Sequence, residues 1–399
     1  MFNEKMMLMR ILYINHDNNL NGSTIALKNI LQNISRRHEV RVVTPRTYDI
    51  ENSELIKFLN KFNIHYYTLN YGLTIYSQCK NNPIRWFVET CSMLKNTLIS
   101  RYKIQKIVDE FKPDIVHTNN GPVNIAFDCC RKKNIPHVWH LREYSDVGLG
   151  IKVFPSKKQW LKNIHSRTNY NIAITQGVYD YYKLRKCDTV IYDGVINLSE
   201  ELPSNDIKRE KYFLFVADAS QEGKGFYDVL LAFKRIQKEF QDYKILVAGP
   251  FYKTSKYGMK ILSYIEKENL SQQIEFLGFR KDVYHLMNNA TALLVTSYFE
   301  GFGFTTTEAM FCDCLVIGRN TTGTKEQFDN GMLFTGLEIG LRFETIEDLV
   351  NCMRKSIVED MSYIRKRAKQ VVKDLYSTTM SHEKLEKYYY HILDQQLNK

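Results

Sequence analysis

The 399 residues are enough for two to three domains, and 44% hydrophobic content is enough to give each a core. Charged residues at 25%, with only 19 Gly and 8 Pro, exclude disordered, collagen-like and Pro-rich chains. No apolar run approaches the roughly 18 residues of a bilayer span, and a net charge of +11 points to anionic partners.

The opening MFNEKMMLMRILYINHD places Glu4 and Arg10 where a signal peptide needs an unbroken apolar segment, so it reads as a first strand. Apolar runs of the buried parallel-strand type lie at 11–14, 40–43, 115–117, 137–140 and 171–174. The pattern resumes at 213–216, 245–248, 274–277, 292–295 and 315–317. Segments of helical period, such as 25–34, 84–111 and 229–240, separate the runs. Helix-length crossovers between parallel strands predict α/β architecture with two doubly wound, Rossmann-like sheets in tandem. Residues 194–210 are polar, contain Pro203 and read as a linker. The expected domains are therefore 1–193 and 211–376, with an amphipathic helix at 381–397 crossing back to complete the first.

The positive charge is uneven. Residues 1–195 hold 28 Lys and Arg against 16 Asp and Glu, and the remainder holds 27 against 28. Nucleic acid is a poor candidate partner, since no helix-turn-helix, zinc-finger or RNP-type pattern accompanies the charge. Between Arg131 and Arg167 the basic residues interleave with Ile151, Val153, Phe154, Trp160, Leu161 and Ile164. That mixture suits an anionic membrane surface, and a solvated Lys-rich face accounts for it equally well. Eight cysteines lack any paired metal-ligand spacing and read as reduced core residues of a cytoplasmic protein.

Ligands of open α/β sheets bind beyond the C-terminal ends of the strands, so the loops there are the candidates for function. After 292–295 comes Glu300-Gly-Phe-Gly303-Phe304-Thr305, opening a helix that contains Glu308. Its glycines permit close approach, and free amides with the positive dipole end suit a phosphate. Glu308 would accept from a ribose diol or simply face the start of its helix. After 213–216, Lys224 in Gly223-Lys-Gly225 is either a phosphate point charge or an exposed turn lysine. In the first half, Gly22 follows the first strand, and Ser23 or Thr24 would cap the helix there. His140 ends its strand with Arg142 nearby.

With these residues placed, the chain resembles a retaining glycosyltransferase of the GT-B fold, in glycosyltransferase family 4 (glycosyl transferases group 1). The resemblance rests on an ordered set in the second half. It comprises Gly-Lys-Gly at Lys224, Ala248-Gly-Pro250, Phe276-Leu-Gly278 with Arg280, Glu300-x7-Glu308, Thr322-Gly-Thr-Lys-Glu326 and Asn330-Gly331. It implies two Rossmann-like domains with an interdomain cleft, and transfer of a hexose from a nucleotide-diphosphate sugar to a glycan, lipid-linked, at the membrane. Glu300 and His140 would act at the transferred sugar. Lys224 with the amides of Gly303, Phe304 and Thr305 would hold the diphosphate. Glu308 would hold the ribose, Gly278 and Arg280 would line the base, and Gly22 would admit the phosphates. Neither a metal nor another cofactor is implied. One departure stands out: the family's Gly-Arg-Leu run is replaced by Ala217-Asp218-Ala219, which puts an acid where a cation is usual. Arg280, Lys281 or Lys325 would have to make up the charge. A catalytically silent subunit scaffolding a partner enzyme is the second reading, and a glycoside hydrolase using Glu300 and Glu308 the third.

Overall fold

The computed structural model describes residues 8–19, 21–79, 81–147, 150–199 and 209–397. It divides into two compact units, Met1–Gly194 with Thr378–Lys399, and Val195–Ser377. Most of the stretch read as a linker, 200–208, lies outside the described residues.

The first unit contains strands β1 (Arg10–Ile14), β2 (Glu39–Pro45), β3 (His65–Leu69), β4 (Ile115–Thr118), β5 (His137–Leu141), β6 (Asn169–Ala173) and β7 (Thr189–Val190). Its helices are α1 (Gly22–Ile34), α2 (Glu54–Lys61), α3 (Pro83–Phe111), α4 (Phe127–Lys133), α5 (Lys157–Ile164) and α6 (Gln176–Tyr181). The second unit contains β8 (Tyr212–Val216), β9 (Lys244–Ala248), β10 (Ile274–Gly278), β11 (Ala292–Val295), β12 (Val316–Arg319) and β13 (Leu341–Phe343). Its helices are α7 (Phe226–Ile236), α8 (Lys256–Lys267), α9 (Val283–Asn289), α10 (Phe304–Phe311), α11 (Thr322–Thr335), α12 (Ile346–Val358) and α13 (Ser362–Leu375). The last helix, α14 (Thr378–Leu397), belongs to the first unit.

Among the described residues the first sheet runs β3-β2-β1-β4-β5-β6-β7 and the second β10-β9-β8-β11-β12-β13, all parallel. Strand order reverses between β1 and β4 in one and between β8 and β11 in the other. Alternation along β1 shows how the first core is layered. Ile11 and Tyr13 pack with Leu27 of α1, Leu55 of α2 and Leu385 of α14, while Leu12 and Ile14 pack with Ile104 and Val108 of α3. Tyr389 of α14 is anchored by Tyr13 Oη at 2.9 Å and His117 Nδ1 at 2.6 Å. In the second unit Phe213 and Phe215 of β8 pack with Phe226 and Phe233 of α7, Ile261 of α8 and Leu349 of α12.

Some sequence expectations shift. The run expected at 171–174 pairs as Asn169–Ala173, and that expected at 315–317 as Val316–Arg319. Strands β3, β7 and β13 are additional. Helix α1 is capped by Asn21, whose Oδ1 accepts from Thr24 N at 2.9 Å, not by Ser23 or Thr24. Of the apolar set expected to face a membrane at 151–164, Val153, Trp160 and Ile164 are buried instead, whereas Ile151, Phe154 and Leu161 are half-buried. Trp160 and Ile164, one turn apart, form the inner face of α5, and Lys158 and Lys162 its outer face, while Lys157 at the helix start pairs with Asp146 and Tyr181.

Candidate functional site

In the second unit, the loops after β8 and β11 emerge side by side at the strand-order reversal. This is where a doubly wound sheet opens a crevice for a ligand. The first carries Lys224 in a single 3-10 turn, Glu222–Lys224, closed by Gly225 at φ 72°. Gly225 is required there, since a Cβ would lie 2.3 Å from Thr296 O. The Thr296 hydroxyl donates to the carbonyls of Lys224 and Gly225 at 2.9 and 3.0 Å, which locks the two loops together. Tyr298 N donates to Gly223 O at 2.9 Å.

The result is a direct pair: Lys224 Nζ lies 2.8 Å from Glu300 Oε1, both half-buried. Glu300 is itself held from α11, with Thr322 Oγ1 accepting its N–H at 2.9 Å and Gly323 N donating to its carbonyl at 3.1 Å. Three residues on, Gly303 caps α10 at φ 92°, and the Gln327 amide donates to the carbonyls of Phe302 and Gly303 at 2.7 and 3.2 Å. The amides of Gly303, Phe304 and Thr305 thus sit at a braced helix start, where the first N–H groups have no intrahelical acceptor. Glu308, one turn further in, accepts from Tyr284 Oη at 3.3 Å.

The remaining sequence candidates divide. Gly278 ends β10 at φ 67°, a backbone reversal that glycine accommodates. Arg280 is exposed and engages the carboxylate of Asp282 through Nε at 2.8 Å and Nη2 at 2.5 Å, so it does not join Lys224. Lys325 is likewise paired with Asp329. Neither reaches the site as an uncommitted cation. Asp218 is turned into its own loop, accepting from Ser220 N at 2.9 Å and Gln221 Nε2 at 3.0 Å. The acid that replaces the usual arginine is therefore spent on building the turn that presents Lys224.

In the first unit, Gly22 is the first residue of α1, and the preceding loop folds around Asp17. That carboxylate accepts from Asn18 N at 2.7 Å and Asn21 Nδ2 at 2.8 Å. His140 is 2% exposed on β5. Burial first, then Arg142 and His117, hold its pKa well below the ordinary histidine value, so the ring is neutral at pH 7. Arg142 Nη2 donates to His140 Nδ1 at 3.3 Å, which leaves the proton on Nε2. Nε2 has no hydrogen-bond partner among the described residues. A buried imidazole N–H is thus left without a partner among the described residues. Arg142 is fixed in turn by both Asp193 oxygens, at 2.5 and 2.6 Å, and by the Asn119 carbonyl at 2.9 Å. Asp193 was hidden in the sequence because it borders the polar stretch. A separate cavity of about 430 Å³ in this unit is lined by Arg46, Asn70, Ser77, Gln78, Ser92 and Asn96, among others.

Two parallel doubly wound units, one opening a braced helix start beside a lysine, define a tandem Rossmann-like protein with a phosphate-type loop. Residues 199–370 match the family model described as glycosyl transferases group 1, and residues 20–196 match that of glycosyltransferase family 4. The chain belongs to this glycosyltransferase family, and its fold is GT-B. The uncharacterized glycosyltransferase MJ1059 of Methanocaldococcus jannaschii is 24% identical over 279 residues, covering 64% of this chain and 66% of its own length. MJ1178 of the same organism is 29% identical over 240 residues, covering 57% and 62%. The matches thus span a little under two thirds of these relatives. Among solved structures, a glycosyltransferase from Rickettsia africae is similar with TM-score 0.74 and 18% identity, over 97% of this chain and 99% of that one. Anabaena Alr3699/HepE in complex with UDP is similar with TM-score 0.73 and 17% identity, over 95% and 99%.

Proposed function

We propose that this protein is a retaining hexosyltransferase that uses a nucleotide-diphosphate sugar and extends a lipid-linked glycan at an anionic membrane surface. The observation that carries the reading is the Lys224–Glu300 pair, 2.8 Å apart beside the Gly303 helix start at the strand-order reversal. Lys224 has three N–H donors and gives one to Glu300, so two remain for diphosphate oxygens. The amides of Gly303, Phe304 and Thr305 complete the cradle, and Glu308 receives the ribose hydroxyls. Gly278 and Arg280 border the base, and Gly22 leaves room at the start of α1 for phosphate approach. Charge on the departing diphosphate is stabilised by these fixed donors, so the reaction needs no metal or other cofactor. Glu300 and the Nε2–H of His140 are assigned to the transferred sugar. The cavity bordered by Arg46, whose lining mixes polar groups with Tyr71 and Tyr76, suits a glycan acceptor's hydroxyls and ring faces. Eight free thiols suit a cytoplasmic location. No described helix is long and apolar enough to cross a membrane.

Thermal-shift screening against UDP-, GDP- and ADP-sugars tests the donor. A true donor at a hundred times its Kd should add about 2.7 kcal/mol. Incubating that donor with lipid-linked glycans in EDTA, and reading the anomeric proton by NMR, tests the rest. The expected outcome is transfer with retention in EDTA. A protein that binds none of the nucleotide sugars would overturn the reading.

A further inference from the structure

Helix α3 carries two apolar faces, and only one of them is used by the fold. Thr97, Ser100, Ile104, Ile107, Val108 and Phe111 face the core. On the opposite side Ile84, Phe87, Val88, Leu98, Ile99 and Tyr102 stand in solvent, with Ile84 78%, Phe87 63%, Leu98 62% and Tyr102 62% exposed. At about 100° per residue these six occupy roughly 120° of the helix circumference, centred opposite the core-facing side. The stripe is roughly 27 Å long. The helix start is clamped by Trp86 stacked on Tyr76 at 5.7 Å and by Ser77 donating to Glu89 at 2.5 Å, so the stripe is held outward.

The charge around the stripe is one-sided. Lys95 and Lys106 lie on the same face, Lys103 borders it, and none of the three has an ion pair among the described residues. The single acid between residues 83 and 106, Glu89, sits off the stripe and is committed to Ser77 and Arg85. A broad apolar face with Lys95 in its middle, Lys106 over the Tyr102 ring at 4.7 Å and Lys103 at its border is complementary to anionic lipid, with apolar side chains entering the acyl boundary and the long lysine stems carrying their ammonium groups up to the headgroups. A helical protein partner fits less well. The face is wider than a coiled-coil seam, and Lys95 in its middle would be buried without a counter-charge.

We propose that the outward face of α3, from Ile84 to Lys106, is the surface by which this protein lies on an anionic membrane. The inference rests on the membrane part of the proposed function and is independent of the donor chemistry. It also differs in place from the basic stretch around α5, where Val153, Trp160 and Ile164 are buried. The test is sedimentation of the full chain with neutral phosphatidylcholine vesicles and with vesicles containing phosphatidylglycerol. Wild type should bind the anionic vesicles and lose them at high salt. Lys95→Glu/Lys103→Glu/Lys106→Glu should weaken that binding by about 100-fold or more, at about fivefold per lysine near the surface. Phe87→Ser/Leu98→Ser should weaken it at least about tenfold. Both variants alter exposed residues and should keep wild-type melting temperature and nucleotide-sugar binding. If both sediment with vesicles like wild type, the membrane reading survives and α3 is not its surface. If wild type ignores vesicles and instead dimerises in a manner lost in Phe87→Ser/Leu98→Ser, the stripe is a protein interface and the proposal fails.

Discussion

Lys224 and Glu300 should respond in opposite directions when nucleotide binding is measured. In the free protein they neutralise each other at 2.8 Å, half-buried, with Glu300 held from α11 through Thr322 and Gly323. In Lys224→Met the diphosphate loses a charge-assisted hydrogen bond, a loss of about 1.5–3 kcal/mol, and meets an unpaired carboxylate as well. Affinity for the nucleoside diphosphate should fall by roughly 100-fold. In Glu300→Gln the lysine loses its competitor and a like charge disappears beside the anion, a gain of up to about 1 kcal/mol at solvent-like dielectric. The nucleoside diphosphate should then bind as well as in wild type or up to about fivefold tighter. Sugar transfer by the same variant should drop by about 100-fold or more, because the group assigned to the sugar has lost its charge. Isothermal titration with UDP and GDP, alongside initial rates, reads both quantities. Equal loss of affinity in the two variants, or none in Lys224→Met, would reduce the contact to an ordinary surface ion pair.

Gly225→Ala should destabilise the second unit by at least about 1–2 kcal/mol from the left-handed backbone alone, with overlap on Thr296 O added; an unchanged urea midpoint would contradict this. Arg142→Met should cost about 3–5 kcal/mol by stranding Asp193 in the interior, and Arg142→Met/Asp193→Leu should recover most of it. Equal midpoints for the single and double variants would show that Asp193 is not stranded. Burial, opposed by the hydrogen bond that His137 Nδ1 donates to Asn169 Oδ1, lowers the His137 pKa to about 4, so the unfolded chain takes up its proton first as pH falls. Its stability contribution is complete above about pH 6.5 and lost toward pH 4, about 3 kcal/mol in all, with His117 and His140 adding in the same direction. A urea midpoint that stays level between pH 7 and 5 would count against this.

The parallel strands of both sheets were legible where they are central, because strands covered on both faces read as unbroken apolar runs. The edges were not. His65-Tyr-Tyr-Thr-Leu69 is polar, aromatic and half-exposed, and β7 and β13 are only two and three residues long. The residues of the candidate site could be found one loop at a time. That Lys224 and Glu300, 76 positions apart, would meet followed only from the adjacency of β8 and β11. Asp218 could not be judged from its type, since its effect depends on where the carboxylate points. The mixture of basic and apolar residues between Arg131 and Arg167 does not by itself mark a membrane face. On α5 Lys158 and Lys162 are the outer side of an ordinary amphipathic helix, whereas α3 is apolar on two opposite sides, and sequence alone does not say which one the sheet covers.

The measurement that bears most directly on the whole account is a crystal structure of the protein soaked with the nucleotide sugar that gives the largest thermal shift. The account predicts one diphosphate at the start of α10, with oxygens within hydrogen-bond distance of the Gly303–Thr305 amides and of Lys224 Nζ, and ribose hydroxyls on Glu308. A nucleotide seated elsewhere, with Lys224 still bound to Glu300 and that helix start empty, would contradict it.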